Sequence, residues 1–445
     1  MNVTVIDALM GAGKTTWAID KLAEIGSPFN ESGQRFIFIT PFLDEVDRVK
    51  DALAARGVTE VVDPIKKGGK KAEHLYELVG QGRNIATTHK LFEHLDPRVM
   101  GQLELSDYVL VVDEVTQWVQ KYKDMKLKDV KMLLDTGYIS VDQSTKRVRW
   151  HDKDGEEYDG KFSGFRSLCL QGKLVATSTR KDGVPALLLW ELPLDVLACF
   201  TEVYVLTYLF EGSEMASYLK LNDVPYRLTT IDAEHHVVDY DPSHDFARLA
   251  MVRHLITVVD DPKLNAIGSA SGIREDPLSK SWYERDQAAG SVKAATLKRN
   301  LRTFFRDHAR SHSKYNLWST FKDYRSALTG LGYSGNNASP CFLSCNARAT
   351  NDYRHKTALA YCVSINHDPQ IRQYYVDHGV KVSSDFHALS TCVQWVWRSA
   401  VREGKAIALY LPSARMRRIF LRYLGGELPE PTFVRKEQLE EALAA

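Results

Sequence analysis

The chain has 445 residues, 44% of them hydrophobic and 26% charged, with a formal net charge of +1. That length sets the expectation at about two or three domains, and the composition is that of a globular chain with no low-complexity tract. Near-neutrality excludes a global field for polyanions. The longest apolar runs, Ala186 to Trp190 and Val203 to Leu209, are too short to span a bilayer, and no basic-then-apolar leader opens the chain, so a cytoplasmic location away from membranes is expected.

Asn2 to Asp7 reads as a short buried strand and Thr16 to Ile25 as the helix after it. Between them lies A-L-M-G-A-G-K-T-T, with Ala8 in the first small position, then Gly11, Ala12, Gly13, Lys14, Thr15 and Thr16. This is the spacing of a phosphate-binding loop. Small residues let successive N–H groups curl around one anion, and the helix N-terminus adds partial positive charge. Lys14 is then expected to reach the β- and γ-phosphates and the Thr15 hydroxyl to ligate Mg²⁺.

Gln34 to Thr40 reads as a second strand, ending in Thr40-Pro41-Phe42 and followed by a helix with Leu43, Val46, Val49 and Leu53 at helical spacing. A basic loop (Lys66, Lys67, Lys70, Lys71), a helix near Ala72 to Val79, and a strand Asn84 to Thr88 with His89 opening the next helix continue the alternation. Such alternation predicts a parallel sheet with crossover helices. Tyr108 to Val112 is a continuous apolar run ending in Asp113-Glu114. Acids at the carboxyl end of such a strand face the loop, so Asp113 is expected to hold Mg²⁺ and Glu114 to polarise an attacking water.

Tyr138 to Asp159 alternate polar and apolar residues around two turn signals, which predicts a small antiparallel hairpin inserted over 138–170. With Arg147, Arg149, Trp150 and His151 it is either a wedge touching nucleic acid or an ordinary solvated insertion. The main sheet is expected to resume at Lys173 to Ser178 and at Glu202 to Tyr208. Residues 222–239 read as a linker from a first domain (1–221) into a second (240–425), with 426–445 as a tail. Within the second, residues 293–314 carry Lys293, Lys298, Arg299, Arg302, Arg306, Arg310 and Lys314 against Asp307, with Leu297, Leu301, Phe304 and Phe305 at helical spacing. The basic face is either a phosphate-backbone surface or a solvated one. Strands are expected at Asn316 to Ser319, Cys341 to Cys345, Thr357 to Ser364 and Ala406 to Leu411, and a helix at Gln394 to Arg402. The six cysteines are scattered, as reduced thiols would be.

As an ordered set these motifs resemble the superfamily 2 helicases, and more closely a group of phage-encoded DEAD/DEAH-box helicase-like ATPases, over nearly the whole length. A-L-M-G-A-G-K-T is similar to motif I, T-P-F-L-D-E-V to Ia, T-T-H to Ib and D-E-V-T to II. Either V-A-T-S or V-L-T-Y, hence Thr177 or Thr207, is similar to III, and L-W-S-T-F-K-D-Y, A-R-A-T-N-D-Y-R and Q-W-V-W-R-S-A-V-R are similar to IV, V and VI. The resemblance implies an α/β fold of two tandem RecA-like parallel-sheet domains, a P-loop NTPase with a hairpin insertion in the first domain, binding ATP and Mg²⁺ between them. Gln394 and Arg398 fit the family's Q-x-x-G-R pattern, in which the arginine reaches the γ-phosphate. Trp397 stands where that pattern has glycine, and the second arginine, Arg402, falls one residue late, so the finger is Arg398 or Arg402. Val115-Thr116 follow the acids, which departs from both D-E-A-D and D-E-x-H. No upstream adenine-reading segment is expected, and base selectivity should be loose.

The implied activity is that of an ATP-dependent helicase or translocase on single-stranded or forked nucleic acid, DNA ahead of RNA, in phage-type replication or recombination. Replication proteins are candidate partners, and the location is the host cytoplasm for a phage-encoded chain. Strand contacts are expected at Thr40, Pro41, Thr88, His89, Thr320, Lys322, Arg348, Thr350 and Asn351, joined by Arg299, Arg302 and Arg306 of the basic helix. A nucleic-acid-stimulated ATPase that remodels without unwinding, an origin-binding replication protein using ATP as a switch, and a small-molecule kinase remain as rivals.

Overall fold

The computed structural model describes residues 2–431 apart from 68–70, 94, 116, 154, 178–184, 271, 273–274, 337–338 and 348–351. The apolar runs that open the chain become β1 (Val3–Asp7), β2 (Arg35–Thr40), β3 (Val61–Val62), β4 (Asn84–Thr88) and β5 (Tyr108–Asp113). Alternate residues of β5 enter opposite cores, Leu110 and Val112 on one face of the sheet and Val109 and Val111 on the other. Burial on both faces is why the run is uninterrupted.

After β5 the chain leaves this sheet. β6 (Val119–Lys121), a hairpin of β7 (Ile139–Val141) and β8 (Val148–Trp150), β9 (Leu174–Ala176) and β10 (Leu188–Glu191) follow. The expected hairpin is present. However, β9 does not resume the main sheet, because it pairs antiparallel with β10, which pairs in turn with β6. The insertion therefore runs from β6 to β10 rather than over 138–170. Strands of three or four residues are too short to display a period, which hid its edges.

The main sheet resumes at β11 (Glu202–Thr207) and continues with β12 (Tyr226–Ile231) and β13 (Val237–Asp239). Its eight strands run in the order β13-β12-β1-β11-β5-β2-β4-β3. All neighbours are parallel except β12 and β13. This corrects the linker expected at 222–239, since β12 lies beside β1 with Val3 opposite Tyr226. Buried threonines disguise the strand; the Thr229 hydroxyl donates to the Val5 carbonyl at 2.8 Å, which removes the penalty of burying it.

The second domain contributes β14 (Ile256–Val258), β15 (Asn316–Ser319), a two-residue ladder of β16 (Gly335–Asn336) and β17 (Ser339–Pro340), β18 (Ala358–Tyr361) and β19 (Ile407–Tyr410). The order β14-β19-β18-β15 is parallel throughout. Cys341 to Cys345 form no strand, and only Phe342 bridges to Trp318. The chain thus folds as two tandem RecA-like parallel-sheet α/β domains with an inserted unit in the first. All six cysteines are buried free thiols. Among the described residues no helix is long and apolar enough to cross a membrane.

The two domains interlock. Leu9, Tyr208 and Leu209 of the first belong to the hydrophobic cluster of the second, with Phe386, Leu389 and Trp397. Conversely, the helix Pro369–Asp377 sends Ile371, Tyr374 and Tyr375 into the core of the first domain and its insertion. There the Tyr374 hydroxyl donates to Glu191 at 2.7 Å, and Lys121 pairs with Asp368 at 2.7 Å.

Candidate active site

β1 delivers Asp7 to the carboxyl edge of the sheet, and the loop that follows turns on Gly11 and Gly13, at φ 92° and 99°. Side chains resist that left-handed conformation, so glycine is required at both. Gly13 caps the helix Lys14–Ile25. Thr15 is half-buried and Thr16 exposed in its first turn. The Lys14 ammonium folds back over the loop, donating to the Ala8 carbonyl and, at 3.2 Å, to that of Leu9. Burial pulls its pKa down, while the carboxylates of Asp245, Asp7, Asp113 and Glu114 act in the opposite sense.

Asp113 ends β5, and burial followed by the Glu114 charge pushes its carboxyl up to about 7. Glu114 sits at φ 63°, a conformation that costs a non-glycine residue on the order of 1 kcal/mol. Its amide donates to Leu206 on β11 at 3.0 Å. The same turn aims its side chain at the second domain, where Oε1 accepts from Arg398 Nη2 at 2.9 Å. The buried Oε2 accepts no hydrogen bond among the described residues.

Arg398 follows the helix Ser384–Val396, which ends before it rather than running on to Arg402 as expected. Trp395 and Trp397 are buried and dock the end of that helix, so Trp397 occupies core volume where glycine was expected. Gln394 donates from Nε2 to the Tyr208 carbonyl at 3.4 Å and to Ser390 at 3.3 Å, placing it against the end of β11. Arg402 lies on the short turn Ala400–Glu403, exposed and within electrostatic reach of Arg354, Arg398 and Arg48.

Further polar groups escaped the sequence reading. Asp7 accepts from the amides of Leu209 at 2.7 Å and Phe210 at 2.8 Å. Burial and the nearby Asp245 push its carboxyl up to about 7, although both amides and Lys14 act the other way. Asp245, on the second-domain helix Pro242–Val252, accepts from the loop amide of Leu9 at 2.8 Å. Asp7 was findable, being an acid that ends an apolar strand as Asp113 does. Asp245 was not, because only the tertiary fold brings it to the loop.

The chain is 33% identical over 435 residues to the SPbeta prophage-derived uncharacterized protein YonV of Bacillus subtilis (strain 168), covering 96% of this chain and 99% of that protein. It belongs to the YonV family. The YonV middle domain matches residues 119–190 and the YonV C-terminal Rossmann-like domain matches 250–424. The first match coincides with the insertion β6 to β10, and the second spans the whole parallel sheet β14 to β19. Among solved structures the chain is similar to S. tokodaii Xpd4, with 12% identity, 96% of this chain and 94% of that one covered, and a TM-score of 0.45. It is also similar to the DUF1998 helicase MrfA bound to DNA and AMPPNP (10% identity, 96% and 49% covered, TM-score 0.35) and to S. cerevisiae Dbp5 bound to RNA and ADP BeF3 (11%, 96% and 82%, 0.31). Likeness at this level fixes neither activity nor substrate.

In this YonV family chain, Thr207 rather than Thr177 stands beside the glycine-bearing loop that follows β1. Thr207 ends β11 and its carbonyl accepts from Ala8 at 3.2 Å, whereas Thr177 bonds to Leu187 inside the insertion. The expected strand contacts divide by exposure. Thr40 and Thr320 are fully buried and His89 is buried, so their side chains face protein; Pro41 and Thr88 are partly exposed and Lys322 is exposed. Arg348, Thr350 and Asn351 lie outside the described residues. The basic helix forms as Val292–Thr303, with Leu297 and Leu301 buried and Arg299 and Arg302 exposed. Arg306 is exposed in the π-turn after it and is held by Asp307 at 2.6 Å.

Proposed function

We propose that this YonV family chain hydrolyses ATP to drive movement along single-stranded nucleic acid, DNA ahead of RNA. The observation that carries this reading is Arg398 of the second domain meeting Glu114 at the carboxyl end of β5, at 2.9 Å and beside the phosphate loop. A cation from one domain at the water-orienting acid of the other couples nucleotide state to domain closure. An ATP-binding module alone has no use for it.

The residues present suit ATP with Mg²⁺. The loop offers amides on a left-handed glycine turn, and Asp113 and Thr15 supply oxygen ligands of the kind that cation takes. Mg²⁺ held there would neutralise charge on the phosphate oxygens. Lys14 leaves the Ala8 and Leu9 carbonyls to pair with the β- and γ-phosphates. Glu114, freed from Arg398, accepts a proton from the attacking water, and Arg398 or Arg402 meets the charge that develops on the transferred phosphoryl group. The Glu114–Arg398 pair therefore describes a resting state. Alternate closing and opening would step the chain along a strand, with Pro41, Thr88, Lys322, Arg299 and Arg302 as the accessible contacts.

The test is ATP hydrolysis by the full chain, alone and with single-stranded DNA, duplex DNA or single-stranded RNA, with Lys14→Ala as control. Strong stimulation by single-stranded DNA, absent in Lys14→Ala, is expected. Hydrolysis indifferent to all three polymers would replace the motor with a nucleotide switch, and none in the wild type would remove the ATPase reading.

A further inference from the structure

The strand order decides which way a nucleotide lies on the loop. In the run β12-β1-β11-β5, Asp113 and Glu114 stand two strands to one side of β1. Phosphoryl chemistry belongs on that side, so a triphosphate laid along the loop sends its nucleoside the other way, toward β12 and its turn into β13. That turn already leans on the loop. His235 at its tip places Nδ1 3.3 Å from the Ala12 carbonyl, and a Cβ on Gly13 would fall 2.9 Å from the same nitrogen.

The turn is built to present this ring. Asp232 accepts the amides of Glu234 at 3.0 Å and His236 at 2.8 Å, and its own amide donates to the His236 carbonyl at 3.0 Å. His235 is thereby held at φ 67° with its side chain exposed. Histidine adopts this left-handed backbone more readily than most residues other than glycine, so the turn holds the ring at its tip at modest cost. Arg248 of the second domain also donates to the Asp232 carbonyl at 2.5 Å, so the turn bridges the phosphate loop and the domain that closes over it.

We propose that the β12–β13 turn is the nucleoside-contacting element of the site, with the His235 imidazole stacking on the base of a bound nucleoside triphosphate. The proposal rests on the nucleotide-site reading above and adds what recognises the nucleoside. Stacking uses the π-face that every base has, so adenine and guanine are both accepted.

Displacement of a fluorescent ATP analogue from the full chain by ATP, GTP and inorganic tripolyphosphate tests it, using wild type, His235→Ala, His235→Phe and Lys14→Ala. His235→Ala is expected to weaken ATP and GTP by about fivefold or more while leaving tripolyphosphate unchanged, and His235→Phe to restore both nucleotides. Unchanged ATP affinity in His235→Ala overturns the proposal. So does an equal loss for tripolyphosphate, which would make His235 a prop for the loop. Failure of the wild type to hold the analogue, or equal binding by Lys14→Ala, would remove the nucleotide site itself and the proposal with it.

Discussion

Arg398 and Glu114 meet with side chains 9% and 27% exposed, so neither charge is fully hydrated and each depends on the other. Arg398→Ala is expected to lower the hydrolysis rate by about a thousandfold, the ordinary worth of an arginine finger, and Arg402→Ala much less, because Arg398 is the arginine hydrogen-bonded to Glu114. Wild-type rates in both variants would leave neither arginine as the finger. Asp7 carries a different signature. With its carboxyl pushed up to about 7, the folded chain keeps a proton that the unfolded chain releases near pH 4. Its contribution to stability is full below about pH 4 and is lost as the pH rises through 7. Thermal melts between about pH 5 and 8 should therefore fall more steeply in the wild type than in Asp7→Asn; equal slopes would mean Asp7 is ionised throughout. At this scale the sequence was informative about placement within a motif, since Lys14 does lie within electrostatic reach of Asp113 and Glu114. It was silent where the partner comes from more than 200 residues away, as with Asp245 and Leu9.

Elements that bury both faces were legible, since an unbroken apolar run leaves little else for β2 or β5 to be. β12 was not, because its threonines look polar in sequence while being buried as core, Thr229 with its hydroxyl donating to the Val5 carbonyl of β1. The hairpin of the insertion was legible, but its edges escaped for lack of length, its outer strands being held by one another and by the helix Pro369–Asp377. One exacting contact across the domain boundary is at Gly212, which ends the turn Phe210–Gly212 under the helix Ser384–Val396. A Cβ there would lie 2.7 Å from both the carbonyl oxygen and the ring of Phe386, and the backbone half of that clash cannot swing away. Gly212→Ala is expected to cost about 1–3 kcal/mol and to shift the helix that carries Gln394 and precedes Arg398. Melting and turnover measured together check this: both should fall, and unchanged turnover at a lowered melting temperature would show the helix adjusting without moving the arginine.

At the scale of the molecule, a two-domain architecture was readable from motif order, but the boundary was not, because the first sheet claims β12 and β13 from the expected linker. Nor was the shared core. Leu9, Tyr208 and Leu209 are first-domain residues that lie among second-domain side chains, and Tyr208 and Tyr423 meet hydroxyl to hydroxyl at 2.9 Å across the boundary. Motion between the domains must expose these groups to water together. One consequence concerns the Leu9 amide, whose hydrogen goes to Asp245 of the other domain rather than to its own loop. That proton can be traded for deuterium only while the cleft stands open. Its exchange rate would thus serve as a built-in clock for the fraction of time the domains spend apart, read in the loop that follows β1.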